Sequence, residues 1–235
     1  MKNKVLMCGV FSLLIIFCLG IFGCGSKDTV FVPATRYPGS ITGTLSTVDG
    51  LVSPGVAVEL TQLSTSTKFS TQTDINGYYS FYDLPDGKYL LRYVKSGYVN
   101  FNIPTIVSGL HKDISGNLLT SSEITQFFGP THPYSSQKGL VGAYVRSGRY
   151  AGLAGATVSL SPATYEALGY QIADYSFDWT ATSTILGYAM FYNVTPGNYT
   201  VTASRTGYTM SPVSYTDVPV LAGEITQVEF IPTLN

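Results

Sequence analysis

The sequence predicts an all-β protein in which two consecutive β-domains follow an N-terminal signal or anchor segment. The first observation is a repeat, because residues 77–89 return without a gap as residues 187–199. The second is composition: 18 Tyr and 24 Gly among 235 residues, with only 11% charged residues, favour strands and turns over helices. No stretch shows sustained helical periodicity. Two copies of one hairpin therefore predict two copies of one small β-domain.

The N-terminus has the pattern of an export signal. Lys2 and Lys4 precede an apolar run over residues 5–22, and the chain turns polar after Cys24. A small residue, Gly23, directly before Cys24 resembles a bacterial lipobox, which implies cleavage before Cys24 and lipid attachment to it. An uncleaved membrane anchor is the alternative, since the run is long enough to span a bilayer. We predict a signal peptide over residues 1–23 and a lipid-anchored protein of the cell envelope.

Cysteine usage and charge narrow the class of protein further. Cys8 and Cys18 lie in the signal peptide, so the exported chain keeps Cys24 alone and has no internal disulfide. The net charge of −1 gives no electrostatic reason to expect nucleic acid. In the lipoproteins that this N-terminus resembles, an Asp directly after the lipidated Cys favours retention in the inner membrane. Here Gly25 occupies that position. That resemblance implies the outer membrane if the cell has two membranes.

The mature chain divides by composition into four parts. A tether over residues 24–38, with Pro33 and Pro38, precedes a first β-domain over residues 39–116. A linker over residues 117–138 follows, with Gly-Pro and His-Pro pairs. The second β-domain covers residues 139–235.

The strands of the first domain are predicted from alternation and turn signals. Apolar and polar residues alternate over 41–45, 55–60 and 68–73, and Asn76-Gly77 forms a tight turn before the hairpin. The second domain repeats this order and adds an aromatic insertion at about residues 161–176. We expect this insertion to be a loop, with one helical turn at residues 164–168. Alignment of Trp179 with Phe69 predicts that Trp179 lies on a strand.

Alternation divides each hairpin into two faces. Tyr79, Phe81 and Leu84, matched by Ala189, Phe191 and Val194, form an apolar face that we assign to the core. The opposite face carries one pair of tyrosines in each copy: Tyr78 with Tyr82, and Tyr188 with Tyr192. The two members of a pair are about 13 Å apart along the strand. In the linker, residues 124–128 are too apolar for free chain, and we expect them to pack between the domains.

The hairpin motif resembles a known family. Residues 73–81 followed by 84–89, with 54–58 upstream and 96–98 downstream, are similar to the signature of carboxypeptidase regulatory-like domains. The resemblance implies two tandem seven-stranded Greek-key β-sandwiches of the prealbumin type, a fold grouped with carbohydrate-binding domains. It also implies an accessory module. The second copy departs from the motif, with Ile185-Leu186 before Gly187 and Thr195 in place of Pro85.

The residues offer no catalytic or metal-binding constellation. The two histidines, His111 and His132, have no zinc-ligand spacing and are interpreted as surface residues. Asp74 and Asn76 begin like a calcium loop but lack its later ligands, which favours a turn. Glu166, Asp174 and Asp178 in or beside the insertion are left as an alternative cation site. We predict no enzyme, no cofactor and no metal.

The sequence thus predicts a non-enzymatic structural or interaction module, attached to the membrane through its lipid. The alternative is a carbohydrate-binding lipoprotein that stacks sugars on exposed aromatic rings. Its candidate ligand-binding residues are Trp179, Tyr165, Tyr170, Tyr175, Tyr78, Tyr82, Tyr188 and Tyr192. Tyrosines that merely cover a sheet face or pack one domain on the other would look the same in sequence. Candidate partners are a glycan or another envelope protein.

Overall fold

The structure is a computed structural model that describes residues 39–128, 132–147, 151–173 and 176–235. The predicted signal peptide, lipid site and tether lie outside these residues, as do Asp174 and Tyr175. No helix in the described ranges combines the length and the hydropathy that a membrane crossing requires.

The described chain is almost entirely β-structure, which confirms the predicted all-β fold. The first half contains β1 (Gly39–Thr47), β2 (Ala57–Gln62), β3 (Lys68–Gln72), β4 (Tyr78–Leu84), β5 (Gly87–Val94), β6 (Phe101–Val107), β7 (His111–Asp113) and β8 (Gly116–Leu118). A helix, α1 (Ser121–Phe128), connects it to the second half. The second half contains β9 (Gly139–Ser147), β10 (Ala151–Gly152), β11 (Thr157–Ser161), β12 (Ala167–Ala173), β13 (Ser176–Asp178), β14 (Tyr188–Val194), β15 (Gly197–Ser204), β16 (Tyr208–Ser211), β17 (Ser214–Val220) and β18 (Ile225–Leu234).

The strands form three sheets, and each half of the chain is a two-layer sandwich. Sheet I has the order β4-β1-β7, with β8 also on β1. Sheet II has eleven strands, in the order β13-β12-β14-β9-β18-β6-β5-β2-β3, with β10 on β9 and β16 on β18. Sheet III has the order β11-β15-β17. Sheet I packs on the β6-to-β3 part of sheet II, and sheet III packs on its other part, with one apolar core between each pair of layers.

The two halves repeat each other down to single hydrogen bonds. Tyr89 donates its hydroxyl to the carbonyl of Pro85, and Tyr199 donates in the same way to Thr195. Asp83 and Asn193 both have positive φ, 53° and 48°, where β4 and β14 bulge against their partner strands. The repeat found in the sequence is therefore a repeat of backbone conformation.

The core of the first half contains a buried pair of tyrosines. The hydroxyls of Tyr79 and Tyr93 lie 2.8 Å apart, and both donate to the carbonyl of Ile114, at 2.6 and 2.8 Å. Burial raises the pKa of both phenols well above the ordinary value. Their polar ends are thus satisfied inside an otherwise apolar core, where an unpaired hydroxyl would be costly.

The two halves join where β18 lies parallel to β6. Ile225 pairs with Phe101 and Thr226 with Asn102, so one sheet runs through both sandwiches. Just before β18, the carboxylate of Glu224 accepts hydrogen bonds from three side chains of the first half: Arg92 at 2.6 Å, Asn100 at 3.0 Å and Asn102 at 2.7 Å. The side chain of Glu224 is 12% exposed. Charge-assisted bonds of this kind are the stronger ones in proteins.

Helix α1 is a departure from the sequence analysis, which found no helical periodicity. A capping box begins it: the Glu123 carboxylate accepts from the Thr120 amide at 2.7 Å, and the Glu123 amide donates to the Thr120 hydroxyl at 3.2 Å. Ile124 is fully buried in the first core. A helix of about two turns gives too few residues for a periodic signal. Its apolar residues were expected to pack between the domains, and the cluster that buries Ile124 contains residues of both halves.

The insertion also differs from its prediction. Residues 164–168 form no helical turn. Instead β12 pairs with β14 and extends sheet II, and β13 pairs with β12 as its outermost strand. Trp179 lies in a bend after β13, so its predicted place on a strand is wrong. The insertion adds strands because the edge of β14 offers unpaired backbone groups. Alignment with the first copy could not predict these strands, since that copy has no insertion.

Candidate functional site

The outer face of sheet I carries polar and aromatic side chains from three strands. On β1, Ile41 and Leu45 are fully buried in the core, so the alternate residues face outward. Their neighbours across the sheet follow from the strand register: Ser40 opposite His111, Thr42 opposite Asp113 and Ser80, and Thr44 opposite Tyr78. This outer face, defined by those residues and Tyr82, is the candidate site.

Tyr78 and Tyr82 form a continuous aromatic strip on this face. Their hydroxyls lie 3.4 Å apart, although their Cα atoms are separated by four residues, about 13 Å of extended strand. The two side chains must therefore lean towards each other along the sheet, above Ser80. The hydrogen bond to Tyr82, and to a smaller degree burial, raises the pKa of Tyr78.

The strip is open to solvent. Tyr82 is 63% exposed and Tyr78 is 38% exposed. Every other Phe, Tyr or Trp side chain whose burial the structure describes is half-buried or buried. Exposed rings with an apolar face and a polar hydroxyl suit ligands that mix the two characters.

His111 lies on β7, across β1 from the strip, and its ring contacts hydroxyl groups of β1. Its Nδ1 is 3.0 Å from the Ser40 hydroxyl, and its Nε2 is 3.4 Å from the Thr42 hydroxyl. The sequence predicts His111 as a surface residue and gives no sign of these contacts. Alternating hydroxyl residues at 40, 42 and 44 were visible in sequence, but their parallel pairing with β7 was not.

A hydrogen-bond network fixes the far side of the same face. The Ser115 hydroxyl accepts from the Thr44 amide at 2.9 Å and donates to the Asp113 carboxylate at 2.7 Å. At the end of β1, the Ser46 hydroxyl donates to the side chain of Asn117 on β8 at 2.8 Å. The face thus presents hydroxyl, imidazole and carboxylate groups next to an aromatic surface. Such a set can bind a ligand by stacking and hydrogen bonding.

The corresponding tyrosines of the second half are buried, so their predicted outward exposure is wrong. Tyr188 is 7% exposed and Tyr192 is fully buried. Phe177 lies against Tyr188 with ring centroids 6.0 Å apart, and His132 and Trp179 each lie 5.9 Å from the ring of Tyr192. The linker and the insertion cover this face, and the first half has no insertion to do the same.

The aromatic residues of the insertion serve packing as well. Tyr170 is 2% exposed, which contradicts its predicted place on a binding surface. Trp179 is half-buried and stacks on His132 at 4.1 Å and 23°, so His132 is part of the packing and not an isolated linker residue. The half-buried Tyr165 packs edge-on against Phe191 at 4.9 Å. Of the predicted ligand-binding residues, Tyr78 and Tyr82 alone have well-exposed rings within the described ranges.

Asp74 and Asp178, two of the acidic residues considered as cation ligands, accept hydrogen bonds from neighbouring residues in the chain. The Asp74 carboxylate accepts from the amides of Asn76 and Tyr78, each at 2.9 Å, which confirms the predicted turn. Asp178 caps the backbone at Thr180 and Ala181, and hydrogen bonds from Thr180 lower its pKa. No group of three His, Cys, Asp or Glu side chains that could hold a metal ion occurs among the described residues.

A cleft of about 280 Å³ lies between the two halves. Apolar side chains of both halves line it, including Leu90, Ile106 and Tyr215, with Lys88 and Asp217 among its polar residues. This volume is just below the range of about 300–1,000 Å³ that is typical of small-molecule sites.

Comparison with known proteins identifies the first half. Residues 40–115 match the family described as "Carboxypeptidase regulatory-like domain". This match covers the candidate face, and the first half therefore contains such a domain. No curated protein sequence matches the chain.

Several solved structures share part of the architecture. The Bacillus anthracis TIE protein is 16% identical with a TM-score of 0.31, and the match covers 82% of this chain but only 34% of that one. The minor pilin GBS52 of Streptococcus agalactiae is 14% identical over 83% of this chain and 97% of the pilin, with a TM-score of 0.28. The shaft pilin SpaA of Lactobacillus rhamnosus GG is 10% identical over 86% and 98%, with a TM-score of 0.28. At these TM-scores the likenesses leave the function open.

Proposed function

We propose that this protein is a non-enzymatic structural or interaction module of the cell envelope. The observation that carries the proposal is the fusion of two β-sandwiches through one eleven-stranded sheet. Such a body holds its surfaces at fixed positions, which is what a scaffold or docking module requires. The Glu224 contacts with Arg92, Asn100 and Asn102 support a rigid junction.

The module is held at the membrane by lipid on Cys24, with residues 1–23 removed as a signal peptide and residues 24–38 acting as a tether. The support is the apolar run that ends in Gly23-Cys24 and the polar chain that follows it. Two or more acyl chains give durable attachment, whereas one chain does not. In a cell with two membranes, the outer membrane is the proposed location.

Metabolic labelling with a palmitate analogue tests the anchor. The wild-type chain and the matched control Cys18→Ser should both take up label, because Cys18 lies inside the cleaved segment. Cys24→Ser should lose the label and the mature, cleaved form. Equal labelling of Cys24→Ser and the wild type would contradict the assignment.

A second function, glycan binding, is favoured by one specific observation. The Tyr78–Tyr82 strip is exposed, and it shares one sheet face with the hydroxyl groups of β1 and with His111. Sugar rings have apolar faces that stack on aromatic rings and hydroxyl edges that need hydrogen-bond partners. Retention of the full chain on cellulose, chitin or amylose tests this function, and absence of retention on such matrices would count against it.

A further inference from the structure

The first half of the chain separates its charges between its two sheets. It contains six acidic residues, of which Glu59 on β2 is the only one on a strand of sheet II. The other five lie on strands of sheet I or in the turns next to them: Asp49, Asp74, Asp83, Asp86 and Asp113. The carboxylates of this half are thus gathered around the sheet that carries the candidate site.

The basic side chains of the same half point elsewhere. Lys112 lies on β7 of sheet I, but it pairs with the core residue Ile41, and its ammonium group lies 3.4 Å from the Thr105 hydroxyl on β6. The other four are on strands of sheet II or directly follow one: Lys68, Lys88, Arg92 and Lys95. Within residues 39–118, no lysine or arginine side chain therefore lies on the outer face of sheet I.

Carboxylates stand at both ends of the Tyr78–Tyr82 strip. Asp74 accepts a hydrogen bond from the Tyr78 amide at 2.9 Å, and Asp83 directly follows Tyr82 and is exposed. Asp113 adds a third carboxylate on β7, across β1 from the strip. A ligand that lies along the strip would meet negative charge at each end, over about 13 Å of strand.

We propose that the outer face of sheet I binds an uncharged polysaccharide and excludes polyanionic ones, such as polymers of uronic acids. This inference deepens the glycan binding proposed above and rests on it. The rings of Tyr78 and Tyr82 and the hydroxyl groups of β1 can receive a neutral sugar by stacking and hydrogen bonding. An anionic sugar would bring its charge next to Asp74 and Asp83, with no ammonium or guanidinium group on the face to pair with it.

The exclusion is electrostatic, so it should depend on salt. Exposed charges act on one another over about a Debye length, which is about 10 Å at 0.1 M salt and about 3 Å at 1 M. Carboxylates at both ends of the strip lie within the longer of these distances of a bound chain. We expect them to weaken the binding of a polyanion by about tenfold in dilute salt and much less at about 1 M salt.

Retention of the full chain on matched matrices tests the proposal, in nonionic detergent at about pH 8, where imidazole groups are ordinarily uncharged. Cross-linked cellulose, chitin and amylose are each compared with their carboxymethyl form, which is anionic, and with their hydroxyethyl form, which is neutral. For any backbone that retains the protein, the carboxymethyl form should retain it about tenfold less in dilute salt, and the hydroxyethyl form should not. The deficit should nearly disappear at about 1 M NaCl.

The outcomes separate this inference from the function on which it rests. Absence of retention on all of these matrices would overturn glycan binding itself and the inference with it. Retention on a carboxymethyl matrix that equals or exceeds retention on its neutral parent would leave glycan binding in place and overturn the exclusion of polyanions. Equal weakening by hydroxyethyl groups would reveal a steric cause and would contradict the electrostatic one.

Asp83→Asn gives an independent readout. Asn193 occupies the equivalent position of the second half with a similar positive φ, 48° against 53°, so the backbone accepts this change. Loss of the charge should raise retention on the carboxymethyl matrix by about twofold or more in dilute salt. Glu59→Gln removes the same charge from sheet II, where it should leave that retention unchanged. Equal effects of the two variants would show that the carboxylates around sheet I do not cause the exclusion.

Discussion

The candidate glycan face depends on two residues, Tyr78 and Tyr82, whose counterparts in the second half are buried. Tyr82 and Tyr192 occupy equivalent positions, yet Tyr82 is 63% exposed and Tyr192 is fully buried. Asn193, next to Tyr192, donates to the carbonyl of Pro133 and to Glu166, and thereby ties the linker and the insertion onto this face. Asp83 stands at the same position of the first half and is exposed. The surface role therefore belongs to the first copy.

This difference yields a prediction for binding. If the protein is retained on a polysaccharide, Tyr82→Ala and Tyr78→Ala should each weaken retention by about tenfold, because each removes one stacking ring worth on the order of 1 kcal/mol or more. Tyr208→Ala, which removes a half-buried ring beside Arg205, is the control and should leave retention unchanged. Weakened retention in the control alone would exclude the Tyr78–Tyr82 strip as the binding surface.

At the element scale, the hairpin turn before β4 fixes how the first sandwich closes. Gly77 has φ of +72°, and a Cβ there would come within 2.4 Å of the Leu45 carbonyl oxygen. The Leu45 amide also donates to the carbonyl of Gly77 at 2.9 Å. The turn thus packs directly on β1, so its glycine is required both for its conformation and for space.

A pair of glycine variants separates these two requirements. Gly50 has φ of +82° and open space where a Cβ would stand, so Gly50→Ala should cost about 1 kcal/mol from the left-handed conformation alone. Gly77→Ala adds a backbone clash and should cost about 3 kcal/mol or more. Urea unfolding of the two variants measures both costs, and equal costs would show that the turn does not pack on β1 as described.

The sequence predicted the strands that the repeat contains and failed where the copies diverge. Alternation and the Asn76-Gly77 turn located β1 to β5, since these signals are local to each strand. The fate of the insertion depended on which free edge β12 would join, and this is a long-range choice with no local signal. The burial of Tyr188 and Tyr192 follows from that choice. The partners of His111 likewise depend on a parallel pairing between residues 71 positions apart.

At the scale of the whole molecule, the junction between the halves combines a short strand pairing, an apolar cluster with residues of both halves and one largely buried carboxylate. Burial raises the pKa of Glu224, but the hydrogen bonds from Arg92, Asn100 and Asn102 outweigh it and hold the pKa below its ordinary value of 4.5. A depressed carboxyl pKa contributes stability above the unfolded-state value, and this contribution is lost as the pH falls through the folded-state value. The junction should therefore be intact at neutral pH and weaken in acid.

Glu59 is a suitable control for Glu224, because both carboxylates contact the guanidinium of Arg92. It lies 3.6 Å from Arg92 but is 51% exposed, so its removal should cost about 0.5 kcal/mol or less. Glu224→Gln breaks a charge-assisted contact with a largely buried carboxylate and should cost about 2 kcal/mol. For a protein of this size, that cost corresponds to a fall in Tm of about 4–8 °C.

Scanning calorimetry of the full chain in detergent at neutral pH shows whether the two sandwiches unfold as one body. The wild type should unfold in a single transition with equal calorimetric and van't Hoff enthalpies. Glu224→Gln should lower the transition temperature by about 4–8 °C, and Glu59→Gln by about 2 °C or less. Two separate transitions in the wild type, or equal shifts for the two variants, would contradict a shared structure locked at Glu224.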